Sequence, residues 1–252
     1  MLIRFDGRTA IVAGAARGIG QTIARSLAND GARVFACDLL VDDIAPLAGS
    51  VDGGGEIITA KVDVTDEASI AEVVRMAGEA HILVYVAGGV RGQRPKPLEE
   101  VSAADFADVV DVNLKGAFLF AKAVAPGMKQ KRAGRIVTIS SRAGLVASLI
   151  GIQSYAAAKH GQIGLVKQLA QELGPFGITV NSVAPGFMAT SPDYDRQWNE
   201  WPEAFRDNFV NTIAMRRMGE PQDVADVVTF LASDHASWVT GQTIPVTGNP
   251  LM

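Results

Sequence analysis

One cysteine in 252 residues, Cys37, leaves nothing from which to build a disulfide framework or a multi-cysteine zinc site. Three histidines add too few ligands for a metal site made of His and Cys. Cys37 itself sits in an apolar, strand-like run, where a thiol is ordinarily buried and inert. There is no long basic run and the formal net charge is -4, which removes nucleic acid as an obvious partner. No stretch of about twenty apolar residues is free of charges or turn residues, so no membrane span is expected. The opening Met1-Leu2-Ile3-Arg4-Phe5-Asp6 lacks the apolar run of a secretory signal. These absences lead to the expectation of a soluble cytoplasmic protein. Charged residues make up only 20% and hydrophobic residues 48%, so disorder is excluded and a sizeable core is available.

What is present is an alternation of short β-branched runs with longer helical patterns. Strands are expected at 9–13, 32–38, 56–62, 82–86, 135–139 and 178–183, with helices at 21–30, over most of 102–131, around Tyr155 and at 221–233. Residues 243–246 read as a last strand, placed by Pro245 at an edge or in a distorted ladder. Strict alternation predicts an α/β fold: one doubly wound parallel sheet of about seven strands with helices on both faces. No linker, repeat or low-complexity tract appears, so residues 1–252 are expected to form one domain. Such sheets bind ligands beyond the carboxyl ends of their strands, where strand order reverses.

Chemistry-bearing residues gather at those ends. Gly14, Gly18 and Gly20, with Arg17 and Ile19 between them, lie where the first strand turns into its helix. Glycines there permit a tight turn and the approach of a pyrophosphate to the helix N-terminus. The spacing is G-x-x-x-G-x-G rather than G-x-G-x-x-G. Asp38 ends the second strand, at the distance from the glycines where an acid grips ribose hydroxyls, and its charge repels a 2′-phosphate. Arg17 pulls the other way, since a guanidinium could pair with that phosphate. Asp38 carries more weight, which favours NAD over NADP. Tyr155 and Lys159 stand four apart in an alanine-rich stretch, on one helix face. An ammonium one turn away is expected to lower the phenol's pKa and fit it for proton exchange with an alcohol or ketone.

With these motifs in place the chain resembles the classical short-chain dehydrogenase/reductase family, from Gly7 to Gly248. The resemblance implies a Rossmann-type domain assembled as a homotetramer or homodimer. It implies that Asp63 and Val64 hold the adenine ring, and that Ala87 and Gly88 lie beside the cofactor. It further implies that Pro185, Gly186, Met188 and Thr190, in a segment that also contains Ala189, hold the nicotinamide carboxamide. It assigns a tetrad of Asn113, Ser141, Tyr155 and Lys159. Asn113 would anchor a water in a proton relay, Ser141 would hydrogen-bond the reacting oxygen, and Lys159 would hold the cofactor ribose. Ser140 is a rival to Ser141. Several departures are visible. Ala13 replaces a threonine, and Tyr85 and Val86 replace two asparagines, a loss expected in local hydrogen bonding. The stretch from Ser141 to Tyr155 is fourteen residues, one more than is commonest in the family, and the ending Val246-Thr247-Gly248-Asn249 replaces Val-Asp-Gly-Gly.

The reaction implied is reversible hydride transfer between NAD and a secondary alcohol or ketone, on a small-molecule substrate. Three segments are positioned to read that substrate: Arg91, Arg94 and Lys96; Arg142; and Tyr194, Arg196, Trp198 and Trp201. The basic residues suggest an anionic or polar partner, leading to the expectation of a sugar, polyol or hydroxy acid. They could equally be solvated loop charges, with the tryptophans packing a helix pair or a subunit interface. Two alternatives stand beside this reading: an NADPH-dependent 3-oxoacyl-thioester reductase, and a non-catalytic NAD(H)-binding regulatory protein.

Overall fold

The computed structural model describes residues 2–148, 151–188 and 190–248; Met1, Ala189 and Asn249, named above, lie outside them. Eight strands form one sheet: β1 (Thr9–Ala13), β2 (Arg33–Asp38), β3 (Gly49–Ser50), β4 (Glu56–Lys61), β5 (Ile82–Tyr85), β6 (Gly134–Ile139), β7 (Ile178–Pro185) and β8 (Thr243–Val246). Their order is β3-β4-β2-β1-β5-β6-β7-β8, and every pairing is parallel except β3 with β4. The expected count of about seven is therefore raised by β3. Two residues in a glycine-rich stretch carry no apolar alternation from which a strand could be read. Pro245 lies on the edge strand, opposite Ala184, as its missing N–H requires.

The central strands are buried on both faces, and successive residues feed two different cores. Val12, Val84 and Val137 point to one face, against helices α1 (Gly18–Asn29) and α9 (Pro221–Ala232). Ile11, Leu83 and Ile136 point to the other, against Phe120, Val124 and Met128 of α5 (Gly116–Lys131) and Val166 and Leu173 of α6 (Gln153–Leu173). Burying one such Val, Leu or Ile contributes about 1.5–3 kcal/mol, so this double layer sets the rigid floor of the crevice.

Five further helices complete the frame among the described residues: α2 (Val41–Ile44), α3 (Glu67–Ala77), α4 (Ala103–Val110) and the pair α7 (Pro192–Glu200) and α8 (Glu203–Thr212). Helix α3 lies in a stretch for which the sequence suggested no element. Asp66 caps it, accepting from the backbone N–H groups of Ala68 and Ser69. Between α4 and α5, residues Asp111–Lys115 form one π-helical turn, a widening that helical periodicity does not announce. Strand order reverses at β1, which has β2 on one side and β5 on the other. The crevice beyond the carboxyl ends of those strands is the place where a ligand is expected.

Candidate active site

The glycine turn is built by close packing. A Cβ on Gly14 would lie 2.3 Å from the Ala87 nitrogen, and one on Gly20 only 1.9 Å from the Gly14 oxygen. Gly18 adopts a left-handed φ of +47°, and a Cβ there would lie 2.5 Å from the Thr190 oxygen. No side chain caps the N-terminus of α1, which leaves its first N–H groups available to an anion.

Asp38 is held by both oxygens. Ala16 N–H donates to Oδ2 at 3.0 Å and Leu40 N–H to Oδ1 at 3.1 Å. Arg17 turns away from it and donates through Nε to Asp43 at 2.8 Å. Asp63 accepts from the N–H and hydroxyl of Thr65 at 2.8 and 2.7 Å, and these bonds hold its carboxyl below the usual range.

These residues share a cavity of about 440 Å³ with Ser141, Tyr155 and Lys159. Ala87, Gly88, Pro185, Gly186, Met188 and Thr190 also line it, as do Arg17, Ile19 and Val64. Of the residues expected at the cofactor, Gly18 and Asn113 do not. Gly18 is tucked under Thr190. Asn113 sits behind the cavity wall and clamps Gly89, accepting its N–H at 3.0 Å and donating to its oxygen at 2.9 Å. A Cβ on Gly88 would lie 2.4 Å from Asn113 Oδ1 and 3.3 Å from Lys159 Nζ, so the three converge. The turn, the ribose-gripping acid and this wall of missing side chains fit a dinucleotide.

The Asn113 carbonyl, freed by the π turn, accepts from Gln162 Nε2 at 3.3 Å. Gln162 is fully buried, and its Oε1 has no protein partner. It lies three residues beyond Lys159 on α6, and no motif or spacing announces its place here. Tyr85 reverses the expected loss of hydrogen bonding on β5. Its hydroxyl donates to the Val112 oxygen at 2.5 Å and ties the strand to the π turn. Ser140 and Ser141 both line the cavity, but they are held differently. Ser140 is buried, donates to the Val183 oxygen at 3.1 Å and lies 2.9 Å from Ser182 Oγ, inside the sheet.

The electrostatics of the pair on α6 differ from expectation. Lys159 Nζ stands 5.7 Å from the Tyr155 ring centre and donates to the Ile139 oxygen at 2.8 Å. Burial pushes its ammonium down to about 7, and burial raises the Tyr155 phenol above its ordinary value. A lysine that is itself half-discharged near neutrality is a weak source of positive charge, so Lys159 alone does not make Tyr155 a phenolate. Opposing the burial, the neighbouring hydroxyls of Ser141 and of Tyr194, on α7, pull the Tyr155 phenol back down.

The basic residues expected to read substrate are mostly engaged by acids. Arg91 pairs with Asp108 at 3.2 Å, Arg94 with Glu200 at 2.8 Å, Lys96 with Asp105 at 3.6 Å and Arg196 with Asp193 at 2.7 Å. Arg142 alone of the group makes no ion pair among the described residues. Trp198 and Trp201 pack around Phe187 at 6.0 and 5.0 Å, and Phe209 closes on Trp201 at 5.4 Å. Beneath them lies a second cavity of about 810 Å³, lined by Phe187, Trp201, Phe205, Phe209, Ile213 and Val227, with Arg142 also at its wall. It shares Gly186 and Met188 with the first. Among the described residues there is no cluster suited to a metal ion, and no helix long and apolar enough to cross a membrane.

Known proteins with this arrangement were found by sequence and by shape. The sequence profile of the family described as enoyl-(acyl carrier protein) reductase matches residues 14–248. The 3-oxoacyl-[acyl-carrier-protein] reductase FabG of Pseudomonas aeruginosa is 38% identical over 252 residues, covering 98% of each chain. The crystal structure of a 3-oxoacyl-[acyl-carrier protein] reductase with bound NAD from Brucella melitensis superposes with a TM-score of 0.88 at 36% identity, covering 100% of this chain and 94% of that one. A 7α-hydroxysteroid dehydrogenase complexed with NADH and 7-oxoglycochenodeoxycholic acid gives 0.87 at 33% identity, over 98% and 95%.

Proposed function

The chain belongs to the short-chain dehydrogenase/reductase family, as an oxidoreductase acting on CH–OH and keto groups, and from that premise we propose that it interconverts 3-oxoacyl and 3-hydroxyacyl thioesters, with NAD(H) as the favoured cofactor. The observation that carries this reading is the apolar chamber beside the catalytic pair. Aromatic walls suit a hydrocarbon chain, and of the cations that could have held a sugar acid all but Arg142 are paired with acids of the protein itself. The names of the similar reductases support the same substrate class. The sugar, polyol or hydroxy acid first expected loses its main support with those ion pairs.

In this proposal Asp38 grips the adenosine ribose, Asp63 and Val64 flank the adenine, and the uncapped start of α1 faces the pyrophosphate. Arg17, already paired with Asp43, offers little to a 2′-phosphate. Bound NADH supplies the hydride to C3 of the substrate. Tyr155 gives its Oη proton to the ketone oxygen, and Ser141 donates a hydrogen bond to that same oxygen. Lys159 sits one turn away to return a proton to Tyr155. Asn113 positions Gly88 and Gly89 against the cofactor. Residues 1–252 act as one dinucleotide-binding domain, since one sheet carries every strand described.

The test is loss of reduced nicotinamide absorbance with acetoacetyl and 3-oxooctanoyl N-acetylcysteamine thioesters, NADH against NADPH, beside a panel of sugars, polyols and hydroxy acids. Thioester reduction that disappears in Tyr155→Phe, while NADH binding survives, is expected. A Tyr155-dependent signal on the polar panel alone would sink the thioester reading. NADH binding without turnover on any substrate would revive the regulatory alternative. A homotetramer or homodimer also belongs to the proposal, because Phe106 of α4 and Phe118 of α5 are 40% and 45% exposed on one continuous rod. Light scattering that returns a monomer mass would remove it.

A further inference from the structure

Resting on the thioester reading above, we propose that Arg142 is a specificity residue for a second, anionic group on the substrate. The acyl chain that enters the aromatic chamber ends in a carboxylate, and the Arg142 guanidinium holds it. The substrate class is then the monothioester of a 3-oxo dicarboxylic acid.

The chamber wall carries three charges, and two of them are engaged with each other. Arg217 donates through both Nη atoms to Asp223, at 2.7 and 2.8 Å, so that pair adds no net charge. The Thr212 hydroxyl donates to the Phe209 oxygen at 2.6 Å. Phe187, Trp201, Phe205 and Phe209 supply apolar surface. Arg142 is the third charge. Among the described residues no acid faces it, and its guanidinium makes no hydrogen bond. A guanidinium cannot discharge at neutral pH. Half-buried beside aromatic rings, it is satisfied either by water or by an anion. An anion borne on the chain that fills the chamber replaces that water and pairs the charge in one step.

The backbone that carries Arg142 is fixed from both sides. Arg142 opens a 3-10 turn, Arg142–Gly144, capped by Ser141, whose Oγ accepts from the Ala143 N–H at 3.1 Å. The N–H groups of Leu145 and Val146 both donate to the Arg142 oxygen, at 2.9 and 3.1 Å. A Cβ on Gly144 would lie 2.7 Å from the Lys159 oxygen, so the turn sits tight on α6. The Arg142 Cα is thus only about 3.8 Å from that of the serine proposed to hold the reacting oxygen. Its side chain nonetheless lines the chamber and not the cofactor cavity. Gly186 and Met188 line both spaces and mark the passage between them. A chain whose ketone lies at Ser141 and Tyr155 passes Met188 and presents its far end to Arg142. Apolar walls alone discriminate weakly between chains that differ by a methylene. A planar carboxylate matches the guanidinium fork with two hydrogen bonds, which a terminal methyl or hydroxyl does not.

The test compares N-acetylcysteamine monothioesters of 3-oxohexanedioic, 3-oxooctanedioic and 3-oxodecanedioic acids with the monoacid thioesters of equal chain length, read as kcat/KM for NADH oxidation. At the length that spans the chamber the diacid is expected to be preferred at least about tenfold, the size of one charge-assisted contact. Arg142→Met is expected to abolish that preference, and Arg142→Lys to restore part of it. A merely structural role for Arg142 would lower both substrates together and leave their ratio intact. Binding gives a second reading that needs no turnover. Trp201 lines the chamber, while Trp238, 98% exposed, adds a constant background. Octanoate is expected to change the tryptophan fluorescence at lower concentration than 1-octanol, and the order to reverse in Arg142→Met. Measurable reduction with equal kcat/KM for diacid and monoacid at all three lengths, or octanoate and octanol bound alike, would overturn the inference and leave the thioester reading standing. Arg142-dependent octanoate binding with no thioester reduced would sink the thioester reading and keep the carboxylate site.

Discussion

Two backbone N–H groups fix the Asp38 carboxylate at the mouth of the adenosine site, so its charge cannot swing aside to admit a phosphate. A 2′-phosphate would meet an uncompensated like charge in a partly desolvated place. Asp38→Ser is therefore expected to raise kcat/KM for NADPH at least about tenfold while lowering that for NADH, since one close charge contact is worth well over 1.4 kcal/mol. An unchanged NADH-to-NADPH ratio would show that Asp38 is not the discriminator. Asp38, the glycines, Tyr155 and Lys159 were all legible in the sequence because each is fixed by spacing within one element or one turn. Tyr194 was visible only as an aromatic near the pocket. Its place in one cavity with Tyr155 is set by the course of the chain through β7 and α7, and no periodicity encodes it. The same is true of the arginines. Their charges could be read, but the acids that hold Arg91 and Arg94 come from α4 and α7, 17 and 106 positions on.

At the scale of elements, the π turn at Asp111–Lys115 is the feature that most affects the site. It turns Asn113 toward Gly89, exposes its carbonyl to Gln162 and offers the Val112 oxygen to Tyr85. Gly116 makes room for this, since a Cβ there would lie 2.1 Å from Tyr85 Oη and 3.0 Å from the Val64 oxygen. Gly116→Ala is expected to destabilise the protein by about 1–3 kcal/mol through overpacking, read as a lower urea midpoint. Tyr85→Phe should relieve most of that clash when combined with it; a double variant no more stable than the single one would mean that the collision lies elsewhere. Helical patterning from Ser102 to Lys131 was correctly legible as helix. Which turn would widen was not, because a π turn leaves the average spacing of apolar residues almost intact. The strands were legible to within a residue or two, β7 running on to Pro185, apart from the short edge strand β3.

For the whole molecule, the buried Lys159 links stability to pH. Its pKa is about 7 in the folded state and 10.5 in the reference state, so the unfolded chain binds more protons between those values. Stability must then rise with pH through that window, with a slope approaching about 1.4 kcal/mol per unit. Cys37 and Tyr155, both raised by burial, act oppositely at higher pH, which confines the clean rise to about pH 7–8.5. Urea midpoints are expected to climb across this range in the native chain and to stay level in Lys159→Met. A native profile that is flat would place the Lys159 pKa outside the window. Cys37 has one more consequence. It is wholly enclosed one residue before Asp38, and its thiol is held protonated, so the folded chain presents no reactive sulfur. A cysteine introduced at the exposed Asn199 of α7 would be the single site taken by a maleimide dye. The rise and fall of that helix over the crevice could then be followed as fluorescence, one molecule at a time, on the otherwise unaltered protein.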